Sequence, residues 1–180
     1  MIPYGYCGVY FQAFQVLRVV NTGLNSVTGL PIENGLVPHS GQQYASTSAQ
    51  TQTAGGQPMI TVNFPSSTTK NFDFNSLYFG CVVGAENTAE DLLVGCTMSI
   101  AGFVGDDNTV ANSKLVCSDS VTYNPTTMLG AQQMAQHAVN SACKDLSFVT
   151  IEFTIDPEFT VDQGLTFAGL IDDVVITARE

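Results

Sequence analysis

Two histidines, a pair of adjacent aspartates and five cysteines are the residues of this chain whose types could do chemistry. His39 and His137 stand far apart, and neither has an acid or nucleophile beside it in a recognisable catalytic arrangement. The motifs Gly-x-Ser-x-Gly, His-Glu-x-x-His and the Gly-rich phosphate loop are missing from the sequence. Paired carboxylates could serve a glycosidase, but a surface rich in acids supplies such pairs by chance. The chain therefore reads as non-catalytic, with no cofactor required.

Asp172 and Asp173 lie inside an apolar strand pattern. Alternation along a strand sends one carboxylate to each face, so one is expected to be buried and saturated with partners. Six tyrosines, Tyr4, Tyr6, Tyr10, Tyr44, Tyr78 and Tyr123, are the aromatic platforms available to a glycan, and the chain has no Trp. The Asp106-Asp107-Asn108 run is the turn of a hairpin.

With five cysteines one is unpaired, and five choices times three connectivities leave fifteen arrangements. Cys81 ends one strand pattern and Cys96 begins another, with a polar loop between them. That layout can bring their Cα atoms within the roughly 4.4–6.8 Å a disulfide requires. Cys117 and Cys143 can close a second loop in the same way. Cys7 is then free, either buried as a small apolar residue or available for an intermolecular bond. The competing reading keeps all five reduced and buried. Disulfides imply an oxidising compartment, and the Ser, Thr, Asn, Gln and Gly that dominate the polar positions suit an extracellular protein. Met1 is followed at once by Ile2-Pro3-Tyr4 without a leader's basic and apolar regions, so secretion requires a leader removed or missing from this sequence. There is no Asn-x-Ser/Thr sequon with a permitted middle residue.

These residues must be positioned by strands. The 180 residues suit one domain spanning 1–180, with 44% hydrophobic residues for a core and only 12% charged. Strand patterns recur at residues 8–20, 59–64, 71–79, 93–103, 110–117, 148–155 and 165–178, separated by Gly, Pro, Asn and Ser. Phe72, Phe74 and Ser76 fall on one face. Residues 128–142 offer the single place for a short helix, and residues 46–57 read as a loop. About nine or ten short antiparallel strands with at most one short helix predict an all-β jelly-roll sandwich. Sixteen acids against five bases, net −11, argue against nucleic acid, and no apolar run reaches the roughly 20 residues of a membrane span.

Several segments, in order, resemble fungal secreted proteins with a galactose-binding-like jelly roll, akin to carbohydrate-binding modules. Pro3-Tyr4-Gly5-Tyr6-Cys7-Gly8, continuing to Phe14, resembles the family's opening. Phe72-Asp73-Phe74-Asn75-Ser76-Leu77-Tyr78-Phe79-Gly80-Cys81 and Gly95-Cys96-Thr97-Met98-Ser99-Ile100-Ala101-Gly102-Phe103 resemble two central strands, and Leu170-Ile171-Asp172-Asp173-Val174 the closing one. The chain departs from the family in lacking a Trp near Phe11 and an acidic strand before Pro3. The resemblance implies a possible structural Ca²⁺ on Asp172 or Asp173. It also implies a secreted fungal binding module, effector-type or wall-associated, that recognises a glycan or an extracellular host protein. The alternative is an effector that inhibits a host hydrolase such as a papain-like cysteine protease, using the uncharged loops at 22–38 and 46–57. Monomer or weak self-association is expected of either.

Overall fold

A computed structural model describes residues 7–18, 35–41, 43–85, 92–128, 130–158 and 165–180. The chain forms β1 (Tyr10–Gln12), β2 (Gln15–Arg18), β3 (Gly35–Val37), β4 (Gln43–Ser48), a helix α1 (Ala49–Gly55), β5 (Met59–Thr61), β6 (Asn71–Ala85) and β7 (Leu92–Leu93). It continues through β8 (Cys96–Val104), a single 3₁₀ turn (Val110–Asn112), β9 (Lys114–Tyr123), β10 (Ala131–Gln133), β11 (Ala135–Ala138), β12 (Phe148–Ile155) and β13 (Leu165–Arg179).

The strands build two main sheets. One has the order β1-β5-β12-β8-β9; the other runs β11-β6-β13-β4-β2, with β7 added beside β6. Successive strands repeatedly change sheet, from β4 to β5 to β6 and again from β11 to β12 to β13, which is the crossing pattern of a jelly-roll sandwich. Ile60, Met98, Ile100, Val149 and Ile151 from one sheet and Phe74, Leu77, Phe79, Leu170 and Ile171 from the other fill one core. Among the described residues the pairing is antiparallel except for the two-stranded ribbon of β10 with β3, which is parallel.

Several expectations need correction. Among the described residues thirteen strands stand where nine or ten were expected, because many are only two to four residues long. The pattern at 8–20 is two strands in different sheets, separated at Ala13, whose φ of 58° turns the corner. Residues 131–138 are strand, not helix: β11 pairs with β6 and β10 with β3, and pairing overrides the helix preference of Ala, Gln and Met. The helix lies instead at Ala49–Gly55, inside the expected loop, started by the Ser48 N–H donating to Thr51 Oγ1 at 2.8 Å. The hairpin after β8 contains the 3₁₀ turn, so its return strand begins at Lys114 rather than Val110.

Cys81 joins Cys96 and Cys117 joins Cys143, with Cα separations of 6.2 and 5.2 Å. The first bond ties β6 to β8 and so links the two sheets. Cys7 is free and exposed.

The closing strand carries a local irregularity that shapes the site. Asp172 pairs with Tyr78, Val175 with Ser76, and Ile176 with Phe74. One extra residue therefore sits on β13 around Asp173, and a compensating one on β6 at Asn75. Asp173 adopts φ 43° there. On β6 the buried set shifts accordingly from Phe72 and Phe74 to Leu77, Phe79 and Cys81, so Ser76 leaves the face expected of it.

Candidate functional site

The bulge changes where the two aspartates point. Both carboxylates meet the short segment that follows β3. Asp172 accepts the Ser40 N–H at 2.8 Å and the Ser40 hydroxyl at 3.3 Å, and Asp173 Oδ2 lies 2.6 Å from His39 Nδ1. The His39 ring stacks on Tyr78, with centroids 3.7 Å apart and planes 12° from parallel. Leu36 anchors the same segment by packing where Gly80 leaves room: a Cβ on Gly80 would come within 2.5 Å of it. The expectation of one buried and one surface aspartate is corrected, because both are half-buried. A left-handed residue inside the strand breaks the alternation that would have sent them to opposite faces.

The nearby Ser40 hydroxyl and the His39 ring hold the Asp173 carboxyl below the usual carboxylate range, against a small opposing push from burial. The Asp172 carboxylate also caps the Asp173 N–H at 2.8 Å.

Beside this pair is a cavity of about 470 Å³, where the β1–β2 corner meets β4 and β13. Its walls are mostly apolar, with Val9, Phe11, Ile171, Val174 and Ile176 prominent. Tyr44, Gln43, Ser40, Asp172, Asp173 and the Cys7 thiol complete the lining. The volume falls within the range of about 300–1,000 Å³ common to small-molecule sites. A second depression of about 500 Å³ lies over β8, β9 and β12, lined by Ser99, Ser118, Ser120, Thr150 and Glu152, with no aromatic ring in its lining.

Of the six tyrosines, the structure brings Tyr44 to the aspartate cavity. Tyr78 is covered by His39, and Tyr10 packs near Phe64 with centroids 6.5 Å apart. Tyr123 is corrected as a glycan candidate: it is 2% exposed and packs edge-on against Phe79. Burial pushes its hydroxyl pKa up to about 12. Tyr4 and Tyr6 lie outside the described residues.

Calcium takes about six to eight oxygen ligands. Here one carboxylate oxygen is held by a histidine and another by a backbone amide, and among the described residues no group of three or more acidic, His or Cys side chains converges to hold a metal. Among the described residues, the donor set at Asp172 and Asp173 does not fit a calcium site.

Sequence reasoning missed the partners of both histidines. His137 Nε2 lies 2.9 Å from Asp119 Oδ2, joining the edge strands β11 and β9 of opposite sheets. No local spacing signals this pair, because 18 residues separate its members and the topology alone brings them together. The Ser40 contact and the Cys7 wall were missed for the same reason.

No protein-family model matches the chain, and no curated protein does. Among solved structures it is similar to a DUF4465 family protein from Bacteroides caccae, at 8% identity and a TM-score of 0.47, over 95% of this chain and 80% of that one.

Proposed function

We propose that this chain is a secreted, non-catalytic binding module that receives a glycan in the cavity beside Asp172 and Asp173. One observation carries the reading: Tyr44, an aromatic platform of the kind sugars use, and the Asp172–Asp173 pair, first read as candidate metal ligands, line the same apolar-walled cavity. Sugars offer hydroxyl donors to carboxylates and C–H faces to aromatic and aliphatic walls, so the lining is chemically suited to them. Two disulfides are compatible with an extracellular setting, and among the described residues no helix is long and apolar enough to cross a membrane.

Cys7 supplies the test, since its exposed thiol lines the cavity. Glycans that bind on an array should slow alkylation of Cys7, and Tyr44→Ala or Asp172→Ala should weaken them by about tenfold or more. If no glycan protects the thiol, the reading fails.

The alternative, inhibition of a host hydrolase such as a papain-like protease, has its own support at the β8–β9 hairpin. Val104, Val110, Leu115 and Val116 are all exposed there, Leu115 by 53%. Protease inhibition abolished by Leu115→Asp, with Cys7 alkylation unchanged, would favour it.

A further inference from the structure

Resting on the glycan reading of the cavity, we infer that its preferred ligand carries a protonated amine: an amino sugar, as in oligomers of glucosamine. The cavity has two aspartates at its polar side, one of them paired with His39, and no lysine or arginine among the described residues of its lining. A carboxylate only accepts hydrogen bonds, and an ammonium donor gives it a charge-assisted bond roughly twice as strong as a neutral hydroxyl does. Asp173 meets His39 through Oδ2 at 2.6 Å, and the Ser40 hydroxyl also lies close to its carboxylate.

The remaining walls fit the rest of such a ligand. Val9, Phe11, Val174 and Ile176 provide apolar surface for the C–H face of a sugar ring, while Gln43 and Ser40 add polar groups at its edge. The long-range field has the same sign as the site, since the chain carries a net charge of −11. It attracts cations and repels uronic acids, sulfated sugars and phosphorylated sugars. Acetylating the amine removes the charge and most of its donors but leaves the ring unchanged, which isolates this contribution.

The experiment titrates wild-type protein with short oligomers of glucosamine and, separately, of N-acetylglucosamine, at a mildly acidic pH. The glucosamine oligomer should bind about tenfold more tightly or better and slow Cys7 alkylation, and added salt should erode its advantage. Asp173→Asn, nearly isosteric, should remove most of the difference between the two oligomers. The wild-type comparison needs no variant to fold. Equal affinity for both oligomers overturns the amine preference and leaves the glycan reading standing. Binding of neither also overturns it; the glycan reading then falls only if no glycan on the array protects Cys7.

Discussion

Asp119 shows how a single carboxylate can hold two sheets together. It receives the Asn140 N–H at 2.7 Å, the Ser120 N–H at 2.8 Å and the His137 ring at 2.9 Å. Burial raises its pKa, but the Asn140 amide, His137 and the Ser120 amide together outweigh burial and leave it below the ordinary value. A carboxyl that titrates lower in the folded state contributes stability that is complete above its unfolded value. That contribution is lost as pH falls through the folded one. Asp119→Asn should therefore be less stable than wild type by about 1–3 kcal/mol at neutral pH, as measured by denaturant unfolding. The gap should be smaller in strongly acidic buffer, below the ordinary carboxylate range, than at neutral pH. A gap of the same size in both would mean that the charge of Asp119 does nothing for the fold.

At the scale of the element, β12 shows why strands differ in how plainly a sequence announces them. Phe148–Ile155 matches its sequence pattern because the core residues Val149 and Ile151, with Phe153 and Ile155 packed against that core, recur at every second position, although its first four residues are all buried. β13 was equally plain in extent, yet its bulge was invisible: an Asp-Asp pair contains no glycine to advertise the positive φ. α1 escaped notice because it buries none of its residues and so has no apolar stripe to read. The cysteine pairing was legible, since strand ends on either side of a short loop leave few geometric choices. Of the cavity, the acids and Tyr44 could be nominated by type, but the His39–Ser40 segment and the apolar wall arrive from elements distant in sequence. The two sheets also interlock at Gly169 on β13, where a Cβ would come within 2.2 Å of the Phe153 ring on β12. The partly buried ring lies directly against β13, so Gly169→Ala must displace it or the strand. The expected cost is about 1–3 kcal/mol in denaturant unfolding, the usual penalty for overpacking. An unchanged midpoint would show that the interface between the sheets yields freely.

For the whole molecule, charge imbalance is the dominant feature left after the core is formed. Sixteen acids face five bases, and three of those bases, Lys70, Lys114 and Lys144, make no ion pair among the described residues. Arg179 is the exception: it holds Asp73 at 2.6 Å and also pairs with Asp145, fastening the end of β13 to the turn that follows Cys143. Self-repulsion of the remaining acids therefore opposes the compact state, and it acts over distances that salt can shorten. The Debye length falls from about 30 Å at 0.01 M to about 8 Å at 0.15 M, so exposed acids on opposite sides of the sandwich cease to interact. Sodium chloride over that range should raise the melting temperature at neutral pH by about 2–4 °C, the response of a domain this size to roughly 1 kcal/mol. The same salt should weaken any cationic ligand, so stability and affinity should move in opposite directions. A melting temperature that falls with salt would show that local pairs such as Arg179 with Asp73 outweigh the net charge.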